Sequence, residues 1–246
     1  MWFGAILVGL IVCLGISPTR SEPVRLVTYH VSPPYIVDEK RERGLTYELA
    51  KLLSKRSNGK FEFTVETMSR PGLNELLNTG DNFVTPWVNK LWFSDLSSDQ
   101  VHWSAGYIDD ANALISIISK PFEYSGPKSL VGKKVAGLRG GRWAGIDPLI
   151  KQGVVVRIDS TDYWGAMRHA IKGTADIAII PYTVARFLIA SHLKTGQLHF
   201  SAVPHSRYKR QFLVKNNRDV ESFIDEQINF LKNSPEWAST MKSYGL

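Results

Sequence analysis

Residues 134–143, KVAGLRGGRW, join a short apolar run to a segment of helical character that extends to about Lys151. The apolar run predicts a buried strand, and the paired glycines predict a tight turn after it. Two interpretations of the turn stay open. Glycine N–H groups, a helix N-terminus and the guanidiniums of Arg139 and Arg142 together suit a bound anion. The same residues also suit an ordinary strand-to-helix turn with solvated arginines. The GxxxxGK[ST] spacing of a phosphate-binding loop is absent.

Strand-like and helix-like segments alternate on both sides of this stretch. Upstream, the pattern predicts strands at 24–29, 61–65 and 83–88 and helices at 45–56 and 71–77. A β-rich run at 111–119 follows. Downstream, strands are predicted at 154–158, 176–180, 199–203 and 211–214, with helices at 143–151, from Thr161 or Asp162 to 172, at 182–192, at 220–231 and around 237–241. Two such β/α series predict sheets with helices on both faces.

The N-terminus differs from the rest of the chain. Residues 2–16 are almost wholly apolar and are followed by Ser17-Pro18-Thr19-Arg20-Ser21. This run is too short to span a bilayer and is typical of a secretory leader, with cleavage expected before Glu22. No Lys or Arg precedes it, so an uncleaved anchor is the alternative. The only cysteine, Cys13, lies in this run, so the exported part has no disulfide.

The net charge and the absence of certain motifs exclude several classes of function. Without residues 1–21, which carry Arg20 and no acid, the formal charge falls from +7 to +6. Such a surplus suits anionic solutes or surfaces. The basic residues are scattered apart from 40–43 and 207–210, which we interpret as solvated surface. No nucleic-acid motif, G-x-S-x-G elbow or metal-ligand spacing of histidines occurs, so we expect neither nucleic acid, a metal nor a cofactor.

Several segments in order resemble the bacterial extracellular solute-binding proteins of the amino-acid-binding type, family 3. They are Val24-Arg25-Leu26-Val27-Thr28-Tyr29 with Pro33-Pro34-Tyr35, then Gly44-Leu45-Thr46-Tyr47-Glu48-Leu49-Ala50, Leu130-Val131-Gly132-Lys133-Lys134-Val135, Gly137 with Gly140, and Ala170-Ile171-Lys172-Gly173-Thr174-Ala175-Asp176. The resemblance covers nearly all of residues 23–246.

The resemblance implies an α/β fold of the two-lobed periplasmic binding protein type II, each lobe a mixed sheet flanked by helices. It implies that 22–112 with 206–246 form lobe 1 and that 113–205 form an inserted lobe 2. Hinge strands are then expected near 111–119 and 203–212. The ligand would lie between the lobes.

The chain departs from the family at both residues that clamp an amino acid. The family holds its ligand with an arginine from the first lobe and an aspartate after the last strand of the second. Residues 94–104 contain no arginine, and the aspartate position is occupied by Pro181. We therefore do not expect an amino-acid receptor.

The resemblance also implies which residues line the cleft. Arg139 and Arg142, with Gly140 between them, are the leading candidates for a ligand anion. Trp87 and Asn89, at the end of the strand 83–88, suit stacking and hydrogen bonding, although the tryptophan could equally pack in an interface.

Three further candidates have competing structural roles. Tyr29 could face the ligand or close the core. Asp162 could meet a ligand cation or cap a helix. Tyr182 follows the lost aspartate position and could replace that carboxylate with a phenol.

These observations predict a periplasmic, monomeric binding protein that captures a small anionic or zwitterionic solute for an ABC-type transporter. The alternatives are a ligand-sensing accessory of a membrane receptor and a dehydratase-like enzyme on the same fold. We do not expect an enzyme, since no catalytic motif is present.

Overall fold

The computed structural model describes residues 21–93, 95–97, 99–193 and 196–246. The predicted leader, with Cys13, lies outside the described residues apart from Ser21. Within the described ranges, none of the helices combines the length and the apolar character needed to cross a membrane.

The chain alternates between strands and helices over its whole described length. The strands are β1 Glu22–Thr28, β2 Phe61–Thr67, β3 Phe83–Val88, β4 His102–Trp103, β5 Ile108–Ile117, β6 Lys134–Leu138, β7 Val156–Ser160, β8 Ile177–Pro181, β9 Leu198–Phe200 and β10 Ser206–Lys215. The α-helices are α1 Leu45–Arg56, α2 Arg70–Leu76, α3 Asp147–Lys151, α4 Tyr163–Ile171, α5 Tyr182–His192, α6 Arg218–Asn233 and α7 Pro235–Ser243.

The strands form two groups that share β10. The strand order is β2-β1-β3-β10-β5-β8-β6-β7, with β4 on β10 and β9 on β5. In the first group β1 is parallel to β2 and β3, and in the second β6 is parallel to β7 and β8. β10 and β5 run antiparallel to their neighbours, so each group is a mixed sheet.

Strand β10 changes partners along its length. Residues 211–215 pair with β3, whereas 206–210 pair with β5. β5 in turn pairs with β8 of the second group. The two antiparallel strands β5 and β10 are therefore the connections through which the chain passes from one group to the other.

Apolar residues of the strands and of the helices pack together in a buried core. Helix α6 buries Val220, Ile224 and Leu231 and begins where Asn217 accepts a hydrogen bond from the N–H of Val220 at 3.0 Å. This side-chain cap satisfies a donor that the helix itself leaves unpaired. The helical stripe predicted at 220–231 is thus confirmed as a core-facing helix.

Two predicted boundaries are wrong for tertiary reasons. β10 begins at Ser206 rather than at 211, because its first half pairs with β5, a contact that local sequence does not reveal. Helix α3 begins at Asp147 rather than at 143. The Asp147 carboxylate accepts a hydrogen bond from the N–H of Trp143 at 3.0 Å and so holds residues 143–146 in a turn.

Candidate functional site

Ring-bearing side chains from both groups of strands meet beside β5 and β10. Tyr29 and His30 directly follow β1, and Trp92 follows β3. Tyr163 begins α4 in the second group, and Tyr208 lies on β10. With the buried Tyr35 they form what we call the aromatic cluster: Tyr29, His30, Tyr35, Trp92, Tyr163 and Tyr208. Except for Tyr35, all keep part of their surface accessible.

Five rings of the aromatic cluster, all except that of Tyr163, each lie within packing distance of another ring of the cluster. His30 is 4.2 Å from Tyr29, 5.6 Å from Tyr35 and 5.9 Å from Trp92, measured between ring centroids. Trp92 is 4.9 Å from Tyr208 in an edge-to-face arrangement. Burial raises the pKa of Tyr163 to about 12, and the charges of Arg210 and Asp110 also act on this phenol. The cluster is a neutral aromatic wall at neutral pH.

A buried ion pair forms the floor beneath this wall. Arg210 and Asp110 are 1% and 6% exposed, and the Nε and Nη2 atoms of Arg210 donate to Oδ2 of Asp110 at 2.9 and 2.7 Å. The other oxygen of Asp110, Oδ1, accepts from the N–H groups of Ala111 and Thr183 at 2.8 and 3.2 Å. All of these partners are N–H donors, so both carboxylate oxygens are occupied.

Arg210 also joins the first group of strands to this floor. Its Nη1 donates to the carbonyl of Trp87 at 2.6 Å, and its guanidinium lies 4.8 Å from the ring centroid of Tyr35. Burial opposes its positive charge, but Tyr35 and Asp110 raise its pKa above the usual value. Arg210 is therefore charged, and Asp110 neutralises it.

A second guanidinium, that of Arg70, lies at the accessible edge of the site. Its Nε donates to Oδ1 of Asn74 at 3.0 Å, its Nη2 to the carbonyl of Trp92 at 2.6 Å, and its Nη1 to the hydroxyl of Tyr29 at 3.4 Å. The guanidinium also lies 3.9 Å from the ring centroid of Phe93. Among the described residues Arg70 forms no ion pair, so its charge is not neutralised by a carboxylate.

His30 places an unsatisfied polar atom in the same region. Its Nε2 is shielded from solvent and has no hydrogen-bond partner among the described residues. Burial, followed by the charges of Arg210 and Arg70, holds the pKa of His30 well below its usual value. The imidazole is therefore neutral, and its Nε2 keeps an unused hydrogen-bonding capacity.

The predicted anion corner is an exposed loop between β6 and α3. Arg139, Gly140 and Arg142 are all exposed. Within the part of the chain that the structure describes, neither arginine side chain has a hydrogen bond or ion pair. Both guanidiniums are free to meet an anion, but no contact joins them to the aromatic cluster, and their role as ligand contacts stays a prediction.

Another arginine holds this loop in shape. Arg157 on β7 donates to the carbonyls of Gly141 and Leu138 at 2.7 and 2.9 Å. Its guanidinium lies 4.4 Å from the ring centroid of Trp143. That buried ring fills the space beside Gly137, where an added Cβ would lie 2.2 Å from it. The glycine at 137 is therefore required by close packing.

Trp87, a predicted stacking residue, is fully buried. Its Nε1 donates to the hydroxyl of Thr46 at 3.0 Å, and its ring stacks on Trp237 with centroids 6.5 Å apart. Its backbone has a φ of 66°, a left-handed conformation that is uncommon outside glycine. In this conformation its side chain offers no accessible surface to a ligand.

Asn89 is buried as well, and both ends of its amide are used. Its Nδ2 donates to the carbonyl of Lys209 at 2.8 Å, and its Oδ1 accepts from the N–H of Leu91 at 2.9 Å. The side chain thereby caps the short 3₁₀ helix Lys90–Trp92, which carries Trp92 of the aromatic cluster. Asn89 positions the wall of the site.

Asp162 and Tyr182 lie at the starts of two helices of the second group. Asp162 is the N-cap of α4, and its Oδ1 accepts from the N–H of Gly165 at 2.6 Å, as the capping interpretation predicts. Tyr182 is 44% exposed and meets Phe200 edge to face. Ligand contacts of either residue remain predictions. Tyr29, by contrast, is brought into the aromatic cluster.

The candidates indicated by the sequence did not include Arg70, Arg210 or His30. Arg210 belongs to the basic run 207–210, and the interpretation of that run as solvated is wrong for this residue, which β10 turns inward. Alternation along the strand was the available signal, since Arg207 and Lys209 are exposed and Arg210 is buried. Arg70 had a signal in its position before Pro71, which places it at the start of a helix.

No group of three or more metal-binding side chains occurs among the described residues. The site instead combines aromatic surface, neutral hydrogen-bonding groups and guanidinium charge. Such a composition suits the binding of a small organic molecule.

No family model matches the chain, and no curated protein matches its sequence. Solved structures do match its fold. A mutant of ArgBP from T. maritima has a TM-score of 0.66 at 21% identity, over 90% of this chain and 94% of that one. The GluR0 ligand-binding core in complex with L-glutamate has a TM-score of 0.68 at 11% identity, over 94% and 100% of the two chains.

The VFT2 domain of BvgS from Bordetella pertussis has a TM-score of 0.61 at 15% identity, over 90% of this chain and 93% of that domain. The chain has the two-lobed periplasmic binding protein fold. ArgBP and the GluR0 core are ligand-binding proteins rather than enzymes. At these identities the likeness establishes the fold alone, and membership of family 3 stays a prediction.

Proposed function

We propose that this chain is an exported binding protein that captures a small anionic solute between its two lobes. The observation that carries the proposal is Arg70, whose guanidinium lies against the aromatic cluster and pairs with no carboxylate of the described residues. A charge held in that way favours an anionic ligand, because the ligand supplies the missing counter-charge. The fold, shared with the L-glutamate-bound GluR0 core, supports binding in the cleft.

Lobe closure would occur about β5 and β10. On this proposal 22–112 with 206–246 form one lobe and 113–205 the other, with hinge segments near 111–119 and 203–212. Antiparallel connections of this kind allow rigid lobes to rotate about a few backbone positions. The bound solute would then be delivered to an ABC-type membrane transporter.

A thermal-shift screen, followed by calorimetry, tests the capture of a solute. The full chain is expressed with its leader, purified from the exported fraction and screened against organic acids, amino acids and oligopeptides. A ligand that binds only the folded state raises the melting temperature, by an amount that grows with its concentration. If no solute in the three classes shifts the melting temperature, the proposal fails.

N-terminal sequencing of the exported protein tests the localisation. A new terminus at Glu22 is expected if the leader is cleaved. An intact N-terminus in the membrane fraction would instead support an uncleaved anchor.

A second function, sensing for a membrane receptor, is favoured by the absence of the amino-acid clamp. No arginine occurs in 94–104, and Pro181 stands at the aspartate position. Affinity capture from envelope extracts separates the two functions. Recovery of transporter subunits alone supports transport, whereas recovery of a sensor kinase or cyclase supports sensing.

A further inference from the structure

Asp110 has no capacity left for a positively charged ligand group. Its two oxygens accept four N–H donors, from Ala111, Thr183 and twice from Arg210. A ligand ammonium would have to displace Arg210, which would leave a buried guanidinium without its counter-charge. That exchange is strongly unfavourable in a buried site.

Arg70 has donors left for a carboxylate. An arginine carries five N–H groups, one on Nε and two on each terminal nitrogen. The hydrogen bonds to Asn74, Tyr29 and Trp92 use one on each of the three nitrogens. One N–H on Nη1 and one on Nη2 remain, and two such groups match the two oxygens of a carboxylate.

Aromatic rings lie around the Arg70 guanidinium. The ring centroid of Tyr29 is 5.3 Å from it, and His30, Trp92 and Tyr208 continue the wall ring by ring towards Arg210. Aromatic rings gain from stacked or edge-to-face contacts with a flat apolar body. The shielded Nε2 of His30 adds one hydrogen bond for a polar substituent.

From these three features, and resting on the proposed function, we infer that the site takes an aromatic carboxylate that bears no ammonium group. The carboxylate pairs with Arg70, and the ring lies against the aromatic cluster. An α-amino acid is disfavoured because its ammonium finds no available buried carboxylate among the described residues. Asp162 is exposed, and its Oδ1 already caps α4.

Isothermal calorimetry on the full exported chain tests the inference with probes that differ in one property each. Benzoate carries the expected ring and charge. Cyclohexanecarboxylate keeps the charge without the aromatic ring, benzylamine reverses the charge, and L-phenylalanine adds an ammonium. We expect benzoate to bind and to bind most tightly of the four.

Two variants assign the carboxylate contact. Arg70→Met removes the guanidinium. The affinity for benzoate is expected to fall at least about tenfold, since a charge-assisted pair is lost. Arg218→Met, at an exposed arginine of α6, is the matched control and should leave benzoate affinity unchanged. Arg70→Lys keeps the charge but loses the paired N–H geometry, so its affinity for benzoate should lie between those of wild type and Arg70→Met. Circular dichroism confirms that each variant is folded.

Three outcomes would overturn the inference. The first is tighter binding of L-phenylalanine than of benzoate. The second is binding of cyclohexanecarboxylate as tight as that of benzoate. The third is a benzoate affinity in folded Arg70→Met equal to that of the wild type. Each leaves capture of a solute intact, so the proposed function would stand. Failure of the proposed function is a separate result, in which nothing binds from the probes or from the wider solute screen.

Discussion

Arg70 and Arg210 carry the same charge, but only that of Arg210 is cancelled by a carboxylate, because their partners differ. Arg210 is buried against Asp110, and its charge is cancelled within the protein. Among the residues that the structure describes, Arg70 has only neutral partners, so no carboxylate cancels its charge. At the residue scale, the presence or absence of a carboxylate partner decides which arginine is available to a ligand.

His30 makes the stability of the protein depend on pH. The folded state lowers the pKa of His30, so below about pH 6.5 the unfolded chain binds a proton that the folded chain does not. The free energy of unfolding should therefore fall as the pH decreases from 6.5 towards the folded pKa. His30→Asn should show a shallower fall over the same range, measured by urea unfolding between about pH 8 and 5.

The control for this measurement is the same substitution at an exposed histidine, His192→Asn. Its pH profile should follow wild type. Identical slopes for wild type and His30→Asn would contradict the assignment of a neutral, shielded imidazole at position 30.

At the element scale, Asp110 and Arg210 tie three parts of the fold together. They lie on the crossing strands β5 and β10, and they bond to the end of β3 through Trp87 and to the start of α5 through Thr183. The orientation of α5 relative to the first group of strands thus depends on this pair.

Removal of one partner alone should be costly. Arg210→Met or Asp110→Leu leaves the other charge buried and uncompensated, and each should lower the free energy of unfolding by about 3–5 kcal/mol. The double variant Asp110→Leu with Arg210→Met should be more stable than the sum of the two losses implies, since it leaves no unpaired charge. Urea unfolding of all four proteins gives the coupling energy. The prediction is contradicted if each single variant loses less than about 1 kcal/mol of unfolding free energy and the two losses simply add in the double variant.

At the scale of the whole molecule, Tyr244 joins parts of the chain that are far apart in sequence. The Tyr244 hydroxyl accepts a hydrogen bond from the N–H of Gly44 at 3.2 Å, and its ring stacks on Phe187 of α5 with centroids 6.4 Å apart. One side chain after α7 therefore contacts both the loop before α1 and helix α5.

Tyr244→Phe should loosen this contact without removing the ring. The loss of one partly buried hydrogen bond should lower the free energy of unfolding by about 0.5–1.5 kcal/mol. Hydrogen exchange at the amide of Gly44 should become faster, because its acceptor is gone. Tyr182→Phe, at an exposed tyrosine, is the control. Equal exchange rates at the amide of Gly44 in both variants would contradict the hydrogen bond between Gly44 and Tyr244.

The local pattern of the sequence determines most of the elements. Apolar runs predict β1, β3, β6 and β8, because buried strands of a parallel sheet need apolar residues on both faces. A capping residue predicts α4, and helical spacing of apolar residues predicts α6. The order of these elements, with the family resemblance, was enough to predict the two-lobed fold.

The tertiary structure alone decided which polar residues form the site. The loop 139–142 has the composition of an anion site but remains exposed, with its shape held by Arg157. Arg210, from a run that looks solvated, is buried because β10 pairs with β5 and turns it against Asp110. Trp87 looks like a cleft residue but packs in the core. Local sequence encodes secondary structure through short-range periodicity, whereas the burial and charge pairing of a side chain depend on residues up to about a hundred positions away.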